Sequence, residues 1–154
     1  MRYWLFKSEP SCFSFQDLRN RPNATEHWDG VRNFQARNFL RDDIKTGDRV
    51  LFYHSSIPEP AIVGLCTVMR QGYPDHTALD PASDHFDPKA SPDKPVWYMV
   101  DVQADQPLPH AVPLAVIRQH PLPGDMPLLN RSRLSIQPLT SEQYHILIQL
   151  GGLS

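Results

Sequence analysis

Hydrophobic and polar positions alternate along this chain in short runs whose period changes several times. Tyr3, Trp4 and Phe6 fall within Arg2–Lys7, an aromatic-rich stretch that predicts a first strand. Ser14, followed three residues later by Asp17, resembles a capping box and predicts a short helix through Asn20. Asn33 is the expected N-cap of a second helix, with Phe34, Phe39 and Leu40 on one face and Arg37 and Arg41 on another. Arg49–His54 and Ala61–Arg70 are the strongest strand predictions, separated by a turn at Pro58 and Pro60. The second of them is apolar on both faces, as a central or barrel strand is. Residues 72–95 lose apolar periodicity, but strand character resumes at Trp97–Val102, so the segment between is expected to be a long ordered loop inside the domain. Leu114–Gln119 predicts a proline-bounded helix and Arg133–Gln137 a strand. Thr140 and Gln143 form a second capping box, opening a last helix with Tyr144, Leu147 and Ile148 as its buried stripe and Gly151 at its end. The sum is a mixed α+β arrangement, a strand-built barrel with short helices around it. Its core is expected to draw on Val50, Phe52, Ile62, Leu65, Val68, Val100 and Val102.

Composition narrows this picture. A chain of 154 residues that is 40% hydrophobic fits one domain spanning 1–154. Sixteen prolines exclude long uninterrupted helices, and with them bundles and coiled coils. The most apolar stretch, Ala61–Met69, is far below the roughly 18 residues of a membrane span, and no signal-peptide pattern opens the chain. A soluble protein, cytoplasmic or otherwise intracellular and without a membrane partner, is the expectation. Cys12 and Cys66 are too few for a disulfide scaffold and lack C-x-x-C spacing, so reduced thiols and no structural zinc are expected.

Formal net charge is −2, which excludes a protein that coats nucleic acid by electrostatics alone. The distribution is uneven: residues 1–49 carry nine of the fifteen Lys and Arg but seven of the seventeen acids. A polyanion is therefore expected to meet the N-terminal third.

The sequence carries no G-x-S-x-G elbow, P-loop, G-x-G-x-x-G, H-E-x-x-H or P-C-x-x-C motif. Asp75, His76, Asp80, Asp84, His85 and Asp87 fit no regular metal-ligand spacing and read as a solvated loop, so neither a metal nor a cofactor is expected. Strand alternation puts Lys7 and Glu9 on one side and Ser8 on the other, and the Lys/Glu pair serves either acid–base chemistry or a strand-end salt bridge. The segment Trp28 to Phe34 combines an aromatic plate, a glycine and polar groups at a helix start, which suits a nucleotide. The competing reading makes Trp28 a core aromatic and Asn33 only a cap. Tyr53, His54 and Ser55 end a core strand and either line a pocket mouth or pack, His54 reading best as a satisfied core histidine.

Taken in order, Tyr3-Trp4-Leu5-Phe6-Lys7-Ser8-Glu9-Pro10, Trp28 through Leu40, Gly47-Asp48 and Phe52-Tyr53-His54-Ser55 resemble the EVE domain. Ile62-Val63-Gly64, Tyr73-Pro74-Asp75, Trp97 through Val102 and Arg133 through Pro138 continue the resemblance over nearly the whole chain. It implies a PUA-like fold, a β-pseudobarrel with short peripheral α-helices, related to YTH and ASCH domains. It also implies a reader of modified bases, in particular methylated or hydroxymethylated cytosine in DNA or RNA, held between barrel and helices without catalysis. Under that reading Trp28 and Tyr53 are stacking candidates, and Ser8, Asn33 and Ser55 read polar edges. Lys7, Arg32 and Arg37 hold flanking phosphates, while Glu9, Val31, Gln35 and His54 complete the candidate lining. Lys7, Trp28, Asn33, Tyr53 and Ser55 are expected to converge on one concave site. Phe34 stands where a tyrosine is common in the family, which removes one phenol hydroxyl. An ASCH-like amidohydrolase using Lys7 and Glu9 on a modified pyrimidine is the enzymatic alternative, although no threonine accompanies the pair. A protein- or metabolite-binding module is the third.

Overall fold

The computed structural model describes residues 1–130 and 133–153. Among these described residues, six strands form one mixed sheet: β1 (Tyr3–Ser8), β2 (Thr25–His27), β3 (Arg49–His54), β4 (Ala61–Pro74), β5 (Tyr98–Pro113) and β6 (Ile136–Leu139). Their spatial order is β2-β5-β4-β3-β1-β6, with β1 and β3 parallel and the other pairs antiparallel. Short helices accompany them among the described residues: α1 (Phe15–Arg19), α2 (Phe34–Asn38), α3 (Leu114–Gln119), α4 (Pro127–Asn130) and α5 (Ser141–Leu150). A π-helical turn, Phe39–Asp43, continues α2.

Strand alternation divides the apolar side chains between two clusters. Trp4 and Phe6 of β1, Val50 and Phe52 of β3, Val68 of β4, Val100 and Val102 of β5 and Ile136 of β6 share the first, together with Trp28 just after β2. The sheet therefore curls around this cluster as a pseudobarrel, plugged by Phe15 and Leu18 from α1 and by Ala36 and Leu40 from the α2 region. Leu5, Leu51, Tyr53, Ile62 and Leu65 point the other way, under Ile117 of α3, Leu128 of α4 and Leu147 of α5. The seven core residues expected from sequence are all buried, but Ile62 and Leu65 belong to the outer cluster and the other five to the inner one.

Both capping boxes form. Ser14 accepts from the Asp17 amide and Asp17 from the Ser14 amide, and Thr140 and Gln143 reciprocate in the same way. Asn33 caps α2 through Oδ1 at 2.9 Å from the Ala36 nitrogen. Phe34 departs from its expected face: it is 59% exposed and stacks on Trp97, with centroids 4.9 Å apart. Four strands also differ from expectation. β2 goes undetected in the sequence because Thr25-Glu26-His27 has no apolar alternation. β4 and β5 run longer than expected, to Pro74 and Pro113, through register shifts that accommodate prolines. β6 begins at Ile136, three residues after the expected start.

The segment after β4 is ordered by carboxylates, in line with its reading as an ordered loop inside the domain; within the Asp/His set read as solvated, Asp75 is the exception, while His76, Asp80 and Asp84 are exposed. Asp75 is fully buried and accepts from the Gly30 amide at 2.9 Å, from the Arg32 guanidinium at 3.1 Å and from the Thr77 amide at 2.9 Å. Asp87 accepts from the Trp97 indole N–H at 2.7 Å. This strap therefore closes over the Trp28–Arg32 segment and forms one wall of the site.

Candidate functional site

Two clefts open where β1 ends. The larger, about 650 Å³, is bounded by Lys7, Ser8 and Glu9 from β1 and its continuation, by Trp28, Gly30 and Val31 from the turn after β2, and by His85 from the strap. The smaller, about 380 Å³, lies on the outer side of the sheet against Tyr53, Ser55, Leu114 and Arg118. Lys7, Glu9 and Ser135 border both clefts. Two of these shared residues are joined through the backbone, the Lys7 N–H donating to the Ser135 carbonyl at 2.9 Å.

This geometry corrects the expectation of one shared pocket. Trp28 contacts Phe52 inside the barrel, with centroids 5.4 Å apart, whereas Tyr53 is the next residue on the strand and belongs to the outer cluster. Adjacent strand residues face opposite ways, so the two aromatics serve different clefts. Lys7, Ser8, Glu9, Trp28, Val31 and Arg32 come together in the larger cleft, and Tyr53 and Ser55 join Lys7 and Glu9 in the smaller. Asn33, Gln35, Arg37 and His54 border neither. Asn33 is occupied as a cap, and Gln35 is exposed on α2. Arg37 donates to the Val96 carbonyl at 2.6 Å, and His54 Nε2 accepts from the Phe15 amide at 3.1 Å. His54 is thus a satisfied structural histidine, and burial lowers its pKa.

Within the larger cleft the apolar floor is an aromatic cluster. Trp28 is 8% exposed and lies against Phe6, Phe13 and Phe52, so it offers an edge where sequence reasoning expects an open plate. Gly30, at φ +76°, leaves room for the His85 ring: a Cβ there would lie 2.6 Å from it. The close approach that this glycine permits is internal. Ser8 donates to the Phe13 carbonyl and lines this cleft together with Lys7 and Glu9.

Charge around the cleft is largely paired. Arg21 contacts Glu26 at 2.9 Å, and Glu26 also lies 2.8 Å from His27 Nδ1. Arg32 is committed to Asp75 and to the His85 carbonyl. Asp29 lies 3.3 Å from His85 Nδ1 and 3.8 Å from His27 Nε2, which leaves one carboxylate oxygen with no hydrogen bond among the described residues. Half-buried Lys7 has its pKa lowered by desolvation, and its ammonium lies 5.9 Å from the Tyr53 ring centroid. Arg21, Glu26, His27 and His85 also line the cleft, outside the ligand-binding residues expected from sequence. They reach the cleft by long-range folding of the α1–β2 connection, β2 and the strap, for which no local signal exists.

Residues 2–150 match the EVE domain. The chain belongs to the EVE domain family. Human thymocyte nuclear protein 1 is 42% identical over 165 residues, which cover 96% of this chain and 73% of that protein. The zebrafish (Danio rerio) thymocyte nuclear protein 1 is 42% identical over 164 residues, covering 96% of this chain and 71% of its own. Among solved structures, human THYN1 in complex with 5-methylcytosine-containing DNA superposes with a TM-score of 0.94 at 40% identity, covering 100% of this EVE domain and 99% of that chain. A Pseudomonas putida protein superposes at 0.91 with 45% identity over 97% and 99% of the two chains. No helix among the described residues of this EVE domain is long and apolar enough to cross a membrane.

Proposed function

We propose that this chain is a single reader domain that binds a modified cytosine of DNA in the larger cleft, without chemical turnover. The observation that carries the reading is the near-complete superposition on THYN1, a protein solved with 5-methylcytosine-containing DNA. The cleft supports it: a volume of about 650 Å³ admits an extruded base, and its groups suit a cytosine edge. Asp29 and Glu9 supply acceptors for the exocyclic amine, and Lys7 donates toward the ring nitrogen and carbonyl. The apolar edge made by Trp28, Phe13 and Val31 receives the 5-substituent. Burying one methyl group is worth about 0.8 kcal/mol, a preference of about fourfold. Methylation alone therefore yields selectivity of that size unless the unmodified base also strands a polar group.

Fluorescence anisotropy with oligonucleotides carrying cytosine, 5-methylcytosine, 5-hydroxymethylcytosine or N6-methyladenine, at low and physiological salt, tests the reading. RNA versions of the same sequences form a second arm. Modified cytosine in DNA is expected to bind several-fold more tightly than cytosine. Equal affinities across the panel overturn the proposal, and tighter RNA binding reassigns the partner. A Lys7-dependent product from modified cytidines, detected by chromatography, moves the amidohydrolase reading ahead.

A further inference from the structure

Among the described residues, the smaller cleft is bordered by more cationic than anionic side chains. Lys7, Arg118 and Arg133 border it, against the carboxylate of Glu9 alone among the described residues. The whole chain carries −2, so this is a local excess of positive charge on an acidic protein. In the larger cleft the arginines are spent, Arg21 on Glu26 and Arg32 on Asp75. Arg118 and Arg133 have no carboxylate partner among the described residues, and both are exposed. Glu9 is itself engaged, accepting from the Ser56 hydroxyl at 3.3 Å.

Hydroxyl donors complete the lining. Ser55, Ser56 and Ser135 border the cleft, as does Tyr53, whose pKa is raised by burial and whose phenol stays protonated. Tyr53 makes no hydrogen bond through that hydroxyl among the described residues. Three cationic groups and neutral O–H donors around about 380 Å³ match a tetrahedral oxyanion better than a base, which also needs acceptors and a stacking face.

We propose that the smaller cleft is a phosphate subsite, which takes a backbone phosphate of the strand whose modified base enters the larger cleft. The proposal rests on the base-reading above. The clefts share Lys7, Glu9 and Ser135 in their linings, so they adjoin, and a nucleotide chain leaving one passes these residues to reach the other. The arrangement also amends the expectation that a polyanion meets the N-terminal third: Arg118 and Arg133 come from the far end of the sequence.

The test uses the Arg118→Gln/Arg133→Gln double variant of the whole chain, with thermal melting to check the fold, which two exposed positions are expected to leave intact. Binding to matched 5-methylcytosine and cytosine oligonucleotides is measured from 50 to 200 mM salt. The variant is expected to bind both more weakly by the same factor, keeping the modified-to-unmodified ratio, and to lose about 1 to 2 from the log–log salt slope. Single methylphosphonate linkages placed along the strand supply the position. One or two linkages beside the modified base are expected to weaken the native protein and to leave the double variant unaffected. Unchanged slopes, or linkage effects that persist fully in the variant, overturn the phosphate subsite. Equal affinity for modified and unmodified DNA, with the slope still altered by the variant, overturns the base-reading and leaves the phosphate site standing. Absence of any oligonucleotide binding overturns both.

Discussion

Asp75 and Arg32, 43 residues apart in sequence, meet at 3.1 Å with the carboxylate fully buried. Through this contact the strap after β4 is fastened to the segment that forms the cleft wall. Asp75 is a hub as much as an ion-pair partner, because Gly30 and Thr77 donate to it as well.

Removing that carboxylate is expected to be costly. Asp75→Ala leaves a partly buried guanidinium and several unpartnered N–H groups, a change worth about 3 kcal/mol. Urea denaturation checks it, and a loss below about 1 kcal/mol contradicts the hub role. The pH dependence follows from the same contacts. Burial opposes the charged form, yet the hydrogen bonds from Thr77, Gly30 and Arg32 outweigh it and hold the Asp75 pKa below its ordinary value. Its stabilisation is present above the unfolded carboxyl pKa of about 4 and is lost as pH falls through the folded value. Asp75→Asn should therefore flatten the acid limb of a melting-temperature profile.

Trp28→Ala is expected to lower stability by about 3 to 5 kcal/mol, because the indole is a member of the inner core. Differential scanning calorimetry reads this directly. Trp28→Phe retains an aromatic ring at smaller volume and is the variant suited to binding studies. It should lose part of the modified-base preference while still unfolding cooperatively, and an unchanged preference would remove Trp28 from the cleft floor.

His54 predicts a second pH effect of opposite charge type but the same direction. Burial lowers its pKa, partly opposed by Asp17, and Nε2 must stay unprotonated to accept from Phe15. The contribution is complete above the unfolded histidine pKa of about 6.5 and is lost as pH falls from there through the folded pKa. His54→Gln, which keeps an acceptor without titrating, should abolish that part of the decline between pH 7 and 5. A native-like decline in the variant assigns the effect to other groups.

Gly30→Ala combines a left-handed backbone, costing about 1–2 kcal/mol, with a collision against His85. The expected result is a lower melting temperature and faster hydrogen exchange in the strap around His85. Native exchange rates there would show that the ring moves aside freely.

How much of this was legible in the sequence depended on the range of the signal. The caps at Ser14, Asn33 and Thr140 are local hydrogen-bonding patterns, and each forms as read. The bounds of β3 and α3 coincide with expectation because turn residues and prolines flank them. Phe34 defeats a helical-face argument, since α2 lasts only five residues and its first side chain leans on Trp97. The site was read in part. Lys7, Glu9 and Trp28 reach a cleft, but their partition between two clefts depends on sheet curvature. Arg118 and Arg133 are meaningful only once α3 and the turn before β6 are brought beside Lys7.

The alternation that sends Phe52 inward and Tyr53 outward also governs where this fold can change length. One residue inserted or deleted within β1 or β3 would invert every side chain beyond it, delivering apolar rings to one cleft and stripping donors from the other. Length variation must enter where no parity is propagated, as in the segment between Asp80 and Pro95 or the connection from α3 to α4. The two clefts can thus be retuned by loops and point substitutions, while the strands that separate them are bound to a fixed count.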